Sequence, residues 1–495
     1  MTERLPAIGL SALLADLALT DAIPECQVNA LVMDARQVKP GDAFVALQGH
    51  RHHGLEFVDQ AEQRGAAVVI HDTLYSDGPV KTLETQLPLV GVRDLAAALA
   101  VLAQRRWGDP SASLDLVAVT GTNGKTSVAW LLAQALNGAM IGTLGVGQPG
   151  QLKPNSHTTP DIFSVYAQLS AMAASGVRSV VLEASSHALD QRRLAGLRFT
   201  SVIFTTLGHD HLDYHDDRAD YARAKARLFR DYQSDRQILN LDDPFGQVLA
   251  AEVGEGAGRI TLALRADLDA DLRAELINAS REGLHARLNW VARDKRIEVQ
   301  SSLLGQVNLY NLMIVAAELA ARGRSGRDIS KTLNELKPVP GRMQGVPIAD
   351  GALAVIDYAH TPDALESALK SLQMLQPTQL SCVFGCGGDR DVSKRPLMGR
   401  IAESLADQVF LTNDNPRHEE PRAIVRDIQN GMRRPERAII KLDRAAAIDA
   451  ALRSAGESDV VLIAGKGHEA EQIIGDEAQP FSDLETVQAW SRVPA

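Results

Sequence analysis

Short apolar runs recur along the middle of the chain and alternate with helical stretches. "LDLVAVT" (114–120), "RSVVLEA" (178–184) and "TSVIFTT" (200–206) are of this kind, and they predict strand–helix–strand units on a mainly parallel sheet. "GLHARLNWVARDKRIEVQ" (283–300) instead alternates apolar and polar residues, which predicts antiparallel strands in the same domain. Leu10, Leu13, Leu14 and Leu17 recur at helical spacing near the N-terminus, and Leu95 to Trp107 reads as a second helix. A helical pattern over 309–336 stops at Pro338, Pro340 and Gly341, as an interdomain hinge would. Beyond it, "LAVIDYAH", "SCVFGCGGDRD", "QVFLTNDNPR" and "DVVLIAGKGHE" are apolar runs that end in glycines or charged groups. In an open parallel sheet those ends form the ligand crevice. The fold class expected is α/β, with domain boundaries near residues 90 and 340, giving segments 1–89, 90–340 and 341–495.

Composition narrows the function. A chain of 495 residues is long enough for two to four domains, and 45% hydrophobic with 23% charged residues is ordinary for a soluble globular protein. The net charge of −11 argues against nucleic acid as a partner, because phosphate backbones need a basic face. No apolar run approaches the roughly 20 residues that cross a bilayer, so no membrane role and a cytoplasmic location are expected. Cys26, Cys382 and Cys386 make neither a disulfide framework nor a zinc set and read as small buried residues.

The densest chemistry is "VAVTGTNGKTS" (117–127). A strand turning through glycines into a helix aims backbone N–H groups and the positive end of the helix dipole at one point, where phosphate is stabilised. Lys125 can reach terminal phosphates and Thr126 can hold magnesium, although Val119 stands where the strict phosphate-loop pattern has its first glycine. Glu183 ends a strand, where an acid beside a nucleotide loop commonly binds magnesium. "GHDHLDYH" places His209, Asp210, His211, Asp213 and His215 within seven residues. It approaches a binuclear zinc-hydrolase signature, but Tyr214 occupies the final histidine's place, and the alternative is a solvated loop. A histidine on magnesium is unusual, since magnesium prefers oxygen.

Taken together, "TGTNGKTS", "LEASSHAL", "DHLDYH", "YARAKARLF", "GQVNLYN", "PGRMQ", "DYAHTPDAL", "GCGGDRDVSKRPLMG", "DNPR" and "AGKGHE" resemble the Mur ligase family, in order over nearly the whole chain. Within it, "DYAHTPDAL", "GGDRD" and "DNPR" resemble the ligases that add the third residue of the peptidoglycan stem peptide. The resemblance implies three domains: a smaller N-terminal α/β domain for the uridine nucleotide, a central P-loop ATPase and a C-terminal Rossmann-like domain. It implies that ATP phosphorylates the D-glutamate side chain of UDP-MurNAc-L-Ala-D-Glu and that the amine of meso-diaminopimelate then attacks the acyl phosphate. It also implies a magnesium ion held by Thr126, Glu183, His211 and Lys225, the last as a carbamate formed with carbon dioxide. Without the resemblance Lys225 reads as a plain exposed helix lysine.

Residue by residue, the match implies ATP contacts at Gly121, Thr122, Asn123, Gly124, Lys125, Thr126, Ser127, Asn308, Asn311, Arg342 and Asp357. His360 and Lys394 are placed near the reacting phosphate, completing a catalytic set with Lys125, His211 and Lys225. The muramoyl-peptide contacts implied are Met33, Ala35, His50, Arg51, His52, Thr158, Thr159, Ser185, Gln191 and Arg193. Diaminopimelate carries a second ammonium–carboxylate centre that lysine lacks, and selective binding needs a cation aimed at it. Arg417 and Arg390 are the candidates, with Asp414, Asn415, Pro416, Gly465 and Glu469 beside them. The chain departs from the family at Ala35, where serine is common, at Thr206, where asparagine is usual, and at Gln344, where glutamate is usual. An L-lysine-adding ligase, a metallohydrolase built on 209–215 and a nucleotide-controlled binding protein are the other readings. A monomer is expected.

Overall fold

The computed structural model describes residues 5–19, 22–49, 52–72, 84–155, 157–208, 210–211, 214–256, 258–291, 295–348 and 351–491. It divides into two compact units. The first takes in residues 1–118, 138–200 and 227–235, the second 119–137, 201–226 and 236–495.

In the first unit, four strands pair in parallel in the order Leu31–Val32, Ala43–Ala46, Val68–Asp72 and Leu89–Val92. Every residue of Ala43–Ala46 is buried, as expected of a central parallel strand covered on both faces. Phe44, Val58, Ala61 and Val69 close the core between this sheet and the helix Val58–Gln63. The predicted helix Leu95–Trp107 is present and starts at Asp94, whose carboxylate accepts from Ala97 N. Its Arg106 is buried, donating to the carbonyls of Asn29 and Leu5.

The N-terminal helix is shorter than the leucine spacing predicts. It spans Leu10–Leu14 and buries Leu10, Leu13 and Leu14, but Ala15 leaves helical geometry (φ 11°, ψ −95°), so Leu17 falls outside it. Further along this unit, Ala139–Gly142 pairs in parallel with Ser179–Glu183, and the helix Ile162–Ala174 is capped by Asp161, which accepts from Phe163 N and Ser164 N.

The strand Asp115–Thr120 runs from the first unit into the second, where its last residues lie beside Phe199–Phe204. The sheet continues outward through Ser234–Asn240, Arg259–Ala263 and Leu272–Ser280 in parallel, then Gly283–Trp290 and Lys295–Ser301 antiparallel. The alternation over 283–300 thus becomes the last two strands of the sheet, Lys295–Ser301 forming its edge, each buried on one face. The helical pattern of 309–336 is two helices, Gln306–Ala321 and Gly326–Glu335, the second capped by Ser325.

The rest of this unit is a six-stranded sheet ordered Gln344–Pro347, Leu353–Asp357, Val460–Ala464, Leu380–Phe384, Gln408–Leu411, Ile439–Ile440. All its pairs but the first are parallel. One apolar cluster around Leu369, Cys382 and Met398 covers one face, and another around Ile356, Phe410 and Ile448 covers the other. Both Cys382 and Cys386 are buried here. The carboxyl ends of the four central strands deliver residues 358–360, 385–391, 412–417 and 465–469 to one edge of the sheet. Among the described residues no helix is long and apolar enough to cross a membrane.

Candidate active site

The glycine turn leaves the strand Asp115–Thr120 and enters the helix Lys125–Ala135 at Gly124, which is left-handed (φ 88°) and provides no side-chain cap. A side chain at Gly121 (φ 150°) would overlap Thr205 Oγ1 and the backbone of Thr206, so the turn needs glycine there for space as well as for backbone angle. Thr206 holds the turn from the neighbouring strand: its carbonyl accepts from Thr122 N at 2.6 Å and its hydroxyl from Asn123 N at 3.2 Å. The departure from asparagine therefore retains an oxygen that positions the loop. The first helical turn directs N–H groups and dipole toward the cavity beyond, while Lys125 Nζ rests on the carbonyls of Gly121 and Thr122, both at 2.8 Å.

That cavity, of about 550 Å³, is lined by Asn123, Gly124 and Ser127 on one side and by Asn308, Asn311, Arg342, Asp357 and His360 on another. Asn308 and Asn311 are buried and hydrogen-bonded to each other at 2.9 Å. Arg342 lies over the ring of Tyr358, 4.2 Å from its centroid, and its buried Nε has no hydrogen-bond partner among the described residues. Asp357 accepts from Met343 N at 2.7 Å, and desolvation raises its pKa, with Arg342 opposing. His360 holds the Tyr358 carbonyl through Nδ1 at 2.7 Å, and desolvation lowers its pKa. Lys394, at the start of its helix, adds to that lowering. Gln344 Oε1 accepts from Gly341 N at 2.8 Å, an acceptor role that glutamine fills as well as glutamate.

Lys225 is buried, 1% exposed, with Nζ donating to the Gly121 carbonyl at 2.8 Å and lying over the Tyr221 ring, 4.2 Å from its centroid. Burial, and next the like charge of Lys125, push its pKa well below the usual lysine value against the pull of Asp210. The expectation of an exposed helix lysine, drawn without the family, is thus overturned. Burial alone would raise Asp210, but His211, His360 and Lys125 together hold its carboxyl below the ordinary range. His211 is left-handed (φ 55°) with Nε2 3.5 Å from Asp210 Oδ2. His215 is buried on Asp220 at 3.1 Å, so the loop is not simply solvated. His209 and Asp213 lie outside the described residues. Tyr221 was not foreseen: its hydroxyl is 3.1 Å from Thr122 Oγ1, which accepts from Gly208 N at 2.8 Å. Its position one helical turn before Lys225 was the available signal.

At the strand tips of the last sheet, Arg417 (φ 50°) donates through Nη1 to the Gly388 carbonyl at 2.8 Å. A Cβ built on Gly387 would lie 3.1 Å from Arg417 Nη1 and 3.7 Å from Arg390 Cγ, so the Arg417 guanidinium and the stem of Arg390 both border that glycine. A Cβ at Gly465 would meet the Asp414 carboxylate, and Asn415 Nδ2 donates to Glu469 Oε2 at 3.0 Å. Lys466, fully buried, donates to Asn415 Oδ1 at 3.0 Å and Glu469 Oε2 at 2.8 Å. It was not singled out in the sequence, where a lysine between glycines looks like a surface residue. The carbonyl of Pro416 packs against Gly388.

In the first unit, Glu183 is fully buried and its carboxylate accepts from Thr143 N at 2.8 Å and Thr143 Oγ1 at 3.2 Å. Thr143 Oγ1 is also 3.0 Å from Thr158 Oγ1. Thr159 Oγ1 donates to the Glu183 carbonyl at 2.6 Å and accepts from Ser185 N at 3.1 Å. Arg193 donates to the Thr159 carbonyl at 2.6 Å and to Gln191 Oε1 at 3.0 and 2.7 Å. Glu183, Thr158, Thr159, Ser185, Gln191 and Arg193 are therefore one cluster, completed by Thr143, for which the sequence carried no signal. Ala35 is buried in the short turn Ala35–Gln37, capped by Asp34 and following Met33. His52 is exposed on Glu56 at 3.0 Å. His50 and Arg51 lie outside the described residues.

A glycine turn feeding a nucleotide-sized cavity, with a second polar cluster at the tips of a Rossmann-like sheet, is the architecture of an α/β nucleotide-binding enzyme. Three family descriptions match successive segments: Mur ligase family, catalytic domain over residues 27–107, Mur ligase middle domain over 119–319, and Mur ligase, glutamate ligase domain over 341–467. The chain belongs to the Mur ligase family. It is 44% identical, over 96% of each chain, to UDP-N-acetylmuramoyl-L-alanyl-D-glutamate–2,6-diaminopimelate ligase of Xanthomonas oryzae pv. oryzae (strain MAFF 311018). The enzyme of the same name from Pseudomonas aeruginosa (strain PAO1) is 41% identical over 96% of this chain and 99% of its own. A solved structure of a ligase of that name superposes with a TM-score of 0.68 at 32% identity, covering 98% of both chains.

Proposed function

We propose that this protein is an ATP-dependent ligase that joins meso-2,6-diaminopimelate to the D-glutamate side chain of UDP-MurNAc-L-Ala-D-Glu in peptidoglycan precursor synthesis. The observation that carries this reading is that the Arg417 guanidinium and the stem of Arg390 border Gly387, while the acids Asp414 and Glu469 stand at Gly465 and Asn415 on the same row of strand tips. That arrangement offers two cations to a carboxylate and two anions to an ammonium, which is the chemistry of the second amino-acid centre of diaminopimelate and is wasted on lysine.

The reaction follows from the inertness of a carboxylate toward amines. A glutamyl oxygen attacks the γ-phosphorus of ATP, ADP leaves, and the acyl phosphate then carries phosphate as a good leaving group for the amine. Lys125 and the amides of its turn are assigned to the phosphates, where developing negative charge must be met. Arg342, with an unmatched buried N–H in the cavity, together with Asn308, Asn311 and Asp357, is assigned to the nucleotide. His360 and Lys394 are assigned to the phosphoryl oxygens. Met33, Ala35, His52 and the cluster from Thr158 to Arg193 are assigned to the uridine nucleotide and its peptide. The division into segments 1–89, 90–340 and 341–495, the cytoplasmic location and the monomeric state belong to the same proposal.

Magnesium fits the donors on chemical grounds. The Thr126 hydroxyl is an oxygen ligand of the kind it prefers, a carbamate on Lys225 would supply another, and the resemblance adds the His211 imidazole and the Glu183 carboxylate. Carbamate formation needs a neutral, nucleophilic amine, and burial shifts Lys225 in that direction. When bound, the ion would neutralise phosphate charge.

The test is product formation from UDP-MurNAc-L-Ala-D-Glu, ATP and magnesium with either diaminopimelate or L-lysine. Tripeptide with diaminopimelate is expected; product only with lysine overturns the arginine reading, and phosphate release without ligation overturns the ligase. Arg417→Lys, which keeps the charge and loses the planar fork, is expected to raise KM for diaminopimelate by about tenfold to a hundredfold, with KM for ATP unchanged. An unchanged KM for diaminopimelate removes Arg417 from the contact.

A further inference from the structure

The residue that follows Arg417 has no role in the reading above, yet both of its ring nitrogens are engaged. His418 Nδ1 lies 2.9 Å from Asp389 Oδ2, and Nε2 lies 3.2 Å from Asp476 Oδ1. Asp389 immediately precedes Arg390 and is itself left-handed (φ 51°). Asp476 sits in the turn of the hairpin formed by Glu471–Ile474 and Glu477–Pro480. That hairpin grips Arg417 by its backbone: Arg417 N donates to the Ile473 carbonyl at 3.1 Å, and Gly475 N donates to the Arg417 carbonyl at 2.8 Å. His418 therefore stands between the loop that carries one arginine and the hairpin that seats the other.

A neutral imidazole has one N–H and one lone pair, so it can donate to one carboxylate only and turns its lone pair on the other. The imidazolium donates to both. We infer that His418, as an imidazolium, is a positioning residue that fastens the Asp389 loop to the Asp476 hairpin and so holds Arg390 and Arg417 in register for the second carboxylate of the incoming amino acid. The inference rests on the ligase reading for its substrate, but the clamp itself rests on the two carboxylates.

The charged groups that face the ring come from both neighbouring elements, Asp389 from one and Asp476 from the other. On its own segment, Arg417 is turned to the Gly388 carbonyl and Glu419 to Arg395 and Asp389 N. The hydrogen bond with Asp389, followed by the charge of Asp476, raises the His418 pKa above the ordinary histidine value. The sign follows: the clamp is closed at low pH and opens as pH rises through the raised pKa. Since the side chain is 60% exposed, each contact is weak, and the combined effect on KM is about two- to fivefold.

The experiment measures KM for diaminopimelate between about pH 6 and about pH 9 in the wild type, His418→Gln and Asp476→Asn, with KM for ATP as reference. Ionisation of the substrate is common to all three, so the difference between curves is the readout. The wild-type KM is expected to lie below that of both variants at low pH and to merge with them at high pH, KM for ATP being alike throughout. In parallel, the His418 ring resonance is expected to titrate above the ordinary histidine range in the wild type and to fall back in Asp476→Asn. Superimposable KM curves for wild type and variants overturn the positioning role. An unshifted ring titration overturns the clamp even if diaminopimelate proves not to be the substrate, whereas absence of tripeptide with a shifted ring counts against the ligase reading alone.

Discussion

Lys225→Ala is expected to lower kcat by about a hundred- to a thousandfold, the range found when a preorganised group that meets transition-state charge is removed. The lysine is a poor surface residue and a poor ammonium: it is buried, faces a carbonyl and an aromatic ring, and has Lys125 as a neighbour. A buried ammonium without a counter-ion is costly, and that cost shifts the amine toward its neutral form. The carbamate proposed for Lys225 would form from a neutral amine and carbon dioxide, and it would replace a would-be cation with an anion close to Lys125. A wild-type sample equilibrated with ¹³C-bicarbonate is expected to show a carbamate carbon resonance that Lys225→Ala lacks. A variant with kcat within threefold of wild type would remove Lys225 from the catalytic set. Retained kcat is the decisive outcome, since a neutral lysine acting only as a packing residue would affect stability and leave turnover untouched.

The same residue marks where the sequence stops being informative. The glycine turn was legible because glycine supplies φ 88° at residue 124 without strain and leaves room beside Thr205 at residue 121, and such requirements show as letters. The strand tips of the last sheet were legible because each apolar run ends abruptly in polar residues. Lys225 was not, because its helix is rich in arginine and alanine and looks solvated, and the carbonyl it donates to lies 104 residues away. Thr143, Lys466 and Tyr221 escaped for the same reason, each being defined by a partner distant in sequence. The N-terminal helix failed locally: leucines continue at helical spacing to Leu17, but the backbone leaves the helix at Ala15. Family resemblance carried the residue assignments across these gaps. The physical reasons for them, such as Thr206 substituting one loop-holding oxygen for another, emerge only with the neighbours in place.

Asp483→Ala is expected to destabilise the second unit by about 3 to 5 kcal/mol, the cost of leaving a buried guanidinium without its counter-ion. Arg444 and Asp483 are both completely buried and joined by two hydrogen bonds of 2.7 Å. The same guanidinium donates to the Ala464 carbonyl at 2.9 Å and to the Asn413 carbonyl at 3.3 Å. Those carbonyls directly precede Gly465 and Asp414, so the pair sits beneath two of the strand tips assigned to the amino acid. Removing Asp483 leaves a cation that must recruit water or drag those tips out of place. Denaturant unfolding followed by a probe in the second unit measures the loss. The double variant Arg444→Met with Asp483→Leu is expected to lose less than Asp483→Ala alone, because burying two apolar groups avoids the unpaired charge. It should nevertheless show a raised KM for diaminopimelate, since neither new side chain can hold the two carbonyls. A double variant less stable than the single one would mean that the ion pair itself, rather than the avoidance of an orphaned charge, stabilises the sheet.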